Sequence, residues 1–211
     1  MNDERFYDGP VDHDARRSAP AALRNIAPIG EVLGEWLPEH GTVLELASGT
    51  GEHALAYARR FARLMWQPSD CHPDALKSIA AWRAVAGLAN LSAPVAIDAG
   101  SDSWPITHAD ALVAFNMIHI SPWRSTLGMI KGARRLLPRD APLILYGPWF
   151  ERGVAAEPSN AAFDADLKRR NPHWGVRVVE EFAEAAAARG LILTERRVMP
   201  ANNLMLLLRR D

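Results

Sequence analysis

Between Thr42 and His53 the chain reads Thr-Val-Leu-Glu-Leu-Ala-Ser-Gly-Thr-Gly-Glu-His. A β-prone run, Thr42 to Leu46, meets the turn Ala47-Ser48-Gly49-Thr50-Gly51, and a helix-prone segment runs on from Glu52 to about Phe61. Strand, glycine turn and helix together bring backbone N–H groups and a helix N-terminus up to a ligand. Gly49 and Gly51 permit backbone angles or a close approach that a side chain would block. Glu45 puts a carboxylate near the strand's C-terminal end, where it could accept hydrogen bonds from a polar or cationic ligand group. The spacing Gly49-x-Gly51-x-x-Ala54 also fits a dinucleotide fingerprint, so the glycines alone leave the ligand open. Asp70 follows Gly51 by 19 residues, about where a nucleoside-binding βαβ unit carries the acid that holds ribose hydroxyls.

These residues need a scaffold, and the totals bound it. With 211 residues, 48% hydrophobic and 23% charged, the chain is ordinary for one globular domain with a sizeable core. A net charge of −1 gives no electrostatic case for nucleic acid or an anionic membrane as partner. One cysteine, Cys71, permits no internal disulfide and suits a reducing, cytoplasmic setting. No stretch approaches the roughly 20 apolar residues of a membrane span. The histidines are scattered without metal-site spacing, so no metal is expected.

Along the chain, residues 1–18 form an N-terminal extension and 19–211 a single domain. Apolar residues from Leu23 to Leu37 recur at helical spacing, with Pro28 predicting a bend or two short helices. Arg63 to Gln67 predicts a second strand, and Pro73 opens a helix to about Ala86. Pro94 to Ile97 predicts a third strand closed by Asp98, and Ala109 to Phe115 a fourth, with Asn116 and His119 just beyond its end. Ser121-Pro122 suits the cap and first turn of a helix that stops before Pro138. Pro142 to Tyr146 is a fifth strand, followed by Gly147-Pro148-Trp149. A short helix is expected near Ala161 to Arg169, and another over Val176 to Arg189 with Gly190 at its C-terminal cap. Leu191 to Val198 and Leu204 to Arg209 are strands whose short connection makes them antiparallel. The alternation predicts a three-layer αβα Rossmann-like sandwich on a mostly parallel seven-stranded sheet ending in an antiparallel hairpin.

Val43 to Gly51 resembles the first motif of class I S-adenosylmethionine-dependent methyltransferases, acid-x-Gly-x-Gly-x-Gly, with Ala47 in place of the first glycine. Asp70 to Leu76 resembles that superfamily's second acidic strand end, Asp98-Ala99 the third, and Asp110 to Ile120 the fourth-strand motif. More narrowly, Arg24-Asn25, Trp66 to Asp70, Ser159 to Asp164 and Met199 to Asn203 resemble a small family of uncharacterised methyltransferase-like proteins. The resemblance implies S-adenosyl-L-methionine as cofactor. It implies the Ala47-Ser48-Gly49-Thr50-Gly51 turn against the amino-acid tail and sulfonium, Asp70 on the ribose and Asp98 on the adenine amino group. Glu45 and Asn116 complete the expected cofactor set.

On that reading the methyl acceptor lies past the fourth and fifth strands, where Asn116, Tyr146 and Trp149 would line its pocket. His119 is the histidine placed to act as base, against the plainer alternative of a packed core residue. Asn202 could reach the pocket or hold the hairpin turn, because asparagine tolerates the left-handed conformation. The expected function is direct in-line methyl transfer to a small molecule, by a monomer or homodimer. The alternatives are a non-catalytic S-adenosylmethionine binder and a nicotinamide-dependent reductase. The latter lacks a Tyr-x-x-x-Lys pair, since Tyr7, Tyr57 and Tyr146 precede Val11, Phe61 and Phe150 at that spacing.

Overall fold

The computed structural model describes residues 15–211, so most of the expected extension over 1–18 lies outside the described residues. The elements alternate as read: α1 (Pro20–Trp36), β1 (Gly41–Leu46), α2 (Glu52–Arg60), β2 (Leu64–Asp70), α3 (Pro73–Ala86), β3 (Val95–Ala96), β4 (Ala111–Phe115), α4 (Trp123–Leu136), β5 (Pro142–Phe150), α5 (Pro158–Arg170), β6 (Arg177–Val178), α6 (Val179–Ala187), β7 (Leu191–Met199) and β8 (Asn203–Arg210). The sheet runs β3-β2-β1-β4-β5-β8-β7, parallel as far as β5 and antiparallel where β8 meets β5 and β7. The two-residue β6 adds a further parallel pairing at the end of β5, beyond the seven strands expected.

Strand alternation sorts the buried side chains onto two faces. Leu112 and Ala114 of β4 join Met129, Ile130 and Ala133 of α4 and Phe182 of α6 in one core. Ala111, Val113 and Phe115 of the same strand join Ile29, Leu33 and Trp36 of α1 and Tyr57 of α2 in the other. The sheet is therefore covered on both faces, which leaves its carboxyl-terminal edge as the place for irregular, ligand-facing backbone.

Several boundaries moved for identifiable reasons. Helix α1 continues through Pro28 as one element, because burial of Ile29, Val32, Leu33 and Trp36 offsets the single hydrogen bond a proline removes. Strand β2 passes through Pro68 to Asp70, with Pro68 paired opposite Glu45 and Ser69 opposite Val95 of β3. Strand β5 runs on to Phe150, where β8 covers it as far as Pro148 and β6 from Trp149. Pro122, rather than Ser121, occupies the cap position of α4, and the Ser121 hydroxyl has no partner. The segment from 176 is strand before it is helix. No helix among the described residues is long and apolar enough to cross a membrane.

Glycine supplies one fixed clearance that matters for the edge. A Cβ on Gly128 of α4 would collide with the Ala99 carbonyl in the loop that carries Asp98. Gly34, in contrast, is an α1 position whose nearest neighbour to an added Cβ is a Phe61 ring carbon at 3.9 Å. Gly128→Ala is expected to lower stability by about 1–3 kcal/mol through overpacking. Gly34→Ala is expected to raise it by about 0.5–1 kcal/mol through reduced unfolded-state entropy. Urea midpoints at constant m-value check both signs.

Candidate active site

The turn between β1 and α2 folds back on itself in left-handed steps, with Ala47 at φ +53°, Gly49 at +58° and Gly51 at +92°. Non-glycine residues adopt that region at a cost of roughly 1–2 kcal/mol, so Ala47 is a strained replacement for the motif's glycine. The strain is held by a stitch of bonds to β2. Ser48 N–H donates to the Ser69 carbonyl at 2.8 Å, and Ser69 N–H donates to the Ser48 hydroxyl at 3.1 Å. Asp70 Oδ2 accepts the Gly49 N–H at 3.0 Å, and its Oδ1 accepts the His72 N–H at 2.9 Å. Burial raises the Asp70 pKa, opposed by the bonds from His72 and Gly49. Ser78 of α3 donates to the Thr50 carbonyl at 2.7 Å, and an added Cβ on Gly51 would stand 3.0 Å from the Ile79 Cα. The turn is thus clamped between β2 and α3.

Asp98 follows β3 at the same edge, exposed, with Oδ1 accepting the Gly100 N–H at 2.8 Å. Two of the sequence-predicted carboxylates therefore stand at successive strand ends beside the glycine turn. The third is different. Glu45 points into the core on the α1–α2 face, where it accepts the Trp66 indole N–H at 2.5 Å. Burial pushes its pKa up to about 8, against the opposing bonds from Trp66 and Ser48. It meets an indole where a ligand was expected.

The expected acceptor residues do not share one pocket. Asn116 ends β4 in a left-handed conformation, φ +61°, with its N–H donating to the Tyr146 carbonyl at 2.8 Å. His119 and Trp149 pack edge to face with ring centres 5.1 Å apart, on the α4–α6 side. Tyr146, three residues before Trp149, belongs to the opposite core with Phe115 and Tyr57. His119 is 0% exposed and its pKa falls to about 3, through burial and then the Arg177 charge. That geometry suits a packed neutral imidazole rather than a base. Gly147 is required beside it, because an added Cβ would lie 2.5 Å from His119 Nε2. Asn202 holds the β7–β8 turn at φ +57°, and its carbonyl accepts from Asn160 Nδ2 of α5 at 2.9 Å. It lines a cavity of about 170 Å³ together with Trp149, Asn160 and Val154.

Sequence reasoning missed Glu52 and His53. Glu52 is 5% exposed and accepts from the Ser18 hydroxyl and the Ala19 N–H, both at 2.7 Å, and from the Thr50 hydroxyl at 3.0 Å. It thereby fastens the start of α1 to the glycine turn. Arg17 extends the fastening to α3, bonding Ser78 through its N–H and Asp74 through its guanidinium. Two polar residues directly after the last glycine, at a helix start that must pack inward, were the available signal. Asp70, Cys71 and His72 also bring one potential metal ligand each within 4.8 Å of one another. Asp70 already accepts two amides, and Cys71 and His72 are exposed, so the trio is not a built cation site.

With this geometry in view, the chain can be compared with known proteins. The profile of one family, described as a protein of unknown function (DUF938), matches residues 16–210. The chain belongs to that family. Among solved structures, an O-methyltransferase family protein from Burkholderia thailandensis is 18% identical with a TM-score of 0.77, the match covering 90% of this chain and 57% of that one. A putative O-methyltransferase from Nostoc punctiforme is 15% identical with a TM-score of 0.79, covering 93% and 58%. A methyltransferase of calicheamicin biosynthesis in its SAH-bound form is 17% identical with a TM-score of 0.75, covering 90% and 54%. The chain spans less than two thirds of the length of each. At these identities the likeness shows the fold, which is that of the class I methyltransferases.

The Glu45 carboxyl gives this site a pH signature. Its folded pKa lies above the ordinary value of 4.5, so its stabilising contribution is complete below about pH 4.5 and is lost as pH rises towards 8. Glu45→Gln keeps an acceptor for Trp66 and cannot ionise. Its unfolding free energy is expected to match the wild type near pH 4.5 and exceed it at pH 8, read from urea melts across that range.

Proposed function

We propose that this protein is an S-adenosylmethionine-dependent methyltransferase acting on a small molecule. The observation that carries the reading is the Asp70–Gly49 bond, which sets a carboxylate against a left-handed glycine turn at the edge of a sheet whose strand order switches direction between β1 and β4. The donor set fits the cofactor. The turn from Ala47 to Gly51 presents no bulk, suited to the amino-acid tail and sulfonium, while its Ser48, Gly49 and Gly51 amides hold the turn itself in shape. Asp70 Oδ1 and Oδ2 each accept one amide, and a carboxylate oxygen has a second lone pair to offer a ribose hydroxyl. Asp98 stands where an adenine amino group would donate, and Asn116 closes the site from β4. S-adenosylmethionine, when bound, supplies an already activated methyl group.

The chain's own task in a direct in-line transfer is to orient the acceptor and exclude water. The start of α1, fastened through Glu52, covers the turn and serves the second purpose. A base is needed only for an acceptor that must lose a proton. The competing reading is a non-catalytic binder of the same cofactor, and the enclosure of His119 is the observation in its favour. Cytoplasmic residence and a monomeric or homodimeric state belong to the same proposal.

Calorimetric titration of the full chain with S-adenosylmethionine and, separately, NADH tests it. Micromolar binding of the first is expected, weakened at least tenfold by Asp70→Asn and abolished by Gly49→Val, whose side chain the left-handed turn excludes. Preference for NADH, or binding of neither, would refute the assignment.

A further inference from the structure

His53, the second residue of α2, is 8% exposed, and its buried Nε2 has no partner among the described residues. Its ring stacks on Tyr57, 3° from parallel with centres 5.6 Å apart, and tilts against Phe115 at 4.9 Å. Phe115 is the last residue of β4, adjoining Asn116, and its register partner in β5 is Tyr146. Tyr146 is itself 3% exposed and shares a core with Tyr57 and Phe115, the ring neighbours of His53. An unpartnered imidazole nitrogen and a phenol thus share one aromatic wall, directly beyond the glycine turn. Buried polar atoms are almost always hydrogen-bonded, so the His53 nitrogen marks a place for a ligand's polar group.

We propose that the methyl acceptor lies against His53 and Tyr146, and that it is an uncharged, flat molecule carrying a hydroxyl group, a proposal that rests on the methyltransferase reading above. Both groups are neutral at neutral pH. Burial takes His53 down to about 4, with the Ala22 backbone opposing, and takes Tyr146 up to about 12. A neutral imidazole offers a lone pair to a hydroxyl proton, and a phenol donates to the hydroxyl oxygen. Flat ring walls favour a flat ligand, and their low polarity disfavours a charged one. His119 and Trp149, whose ring nitrogens are also unpartnered among the described residues, lie on the other face of the sheet and more fully enclosed, away from the glycine turn's neighbours Tyr57 and Phe115.

The probe is 2-naphthol, titrated into the full chain with and without S-adenosylhomocysteine and followed by histidine ring NMR. It is expected to shift the His53 ring and leave the His119 ring in place. His53→Ala and Tyr146→Phe should each weaken it at least fivefold, with S-adenosylhomocysteine affinity within twofold of wild type. His53→Gln, which retains an acceptor, should recover part of the loss and guards against misfolding of the alanine variant. No naphthol binding, equal binding by the variants, or tighter binding of 2-naphthylmethylammonium would overturn the proposal. Failure of S-adenosylhomocysteine to bind the wild type would instead remove the cofactor reading, and the naphthol arm without it would still report on the pocket.

Discussion

The hydrogen bond from Gly49 N–H to the Asp70 carboxylate is the constraint on which the rest of the site depends. It spans the ends of two neighbouring parallel strands, so it fixes how far β1 continues before the chain turns. With the reciprocal Ser48–Ser69 bonds it holds a turn that includes a strained alanine at Ala47. A turn defined in this way starts α2 at one place, and that start points Glu52 and His53 inward. Without the stitch, a run of left-handed residues would sample many conformations and present no ordered row of amides.

Around that bond the polar groups divide their work by location. Asp98 stands exposed at the open edge, where ligand contact is cheap, beside the buried turn. Glu45 sits below, bonded to Trp66, and braces the first two strands at the expense of a raised pKa. Glu52 ties the start of α1 across the turn, coupling the order of the N-terminal region to the same few residues. The two imidazoles differ in enclosure. Both leave ring nitrogens unpartnered among the described residues, but His119 is enclosed among the packing of α4 and α6, while His53 keeps a sliver of exposure beside the edge.

The periodic parts of the fold were legible because they are set by burial, which repeats along the sequence. The alternation of strand and helix, the terminal hairpin and the placement of Asp70 and Asp98 at strand ends all follow from that periodicity and from turn chemistry. Local rules failed where tertiary contacts outweighed them. Pro28 does not break α1, and Pro68 does not end β2, because the neighbouring positions are paired or buried. Side-chain direction was the harder problem. Glu45 and Tyr146 both stand near strand ends, yet strand parity turns them into the α1–α2 core, Glu45 onto Trp66 and Tyr146 away from Trp149. Glu52 and His53 were hidden because a helix start read as polar and solvated; only the fold brings α1 down upon it.

The most direct measurement of the central claim is an amide NMR map of the full chain on addition of S-adenosylhomocysteine. The account predicts the largest shifts at Gly49, Thr50, Gly51, Cys71 and Asp98, tracing the turn and the two acidic strand ends. Shifts concentrated at the opposite edge of the sheet, in the cavity of about 550 Å³ lined by His40, Asp110 and Arg139, would contradict it.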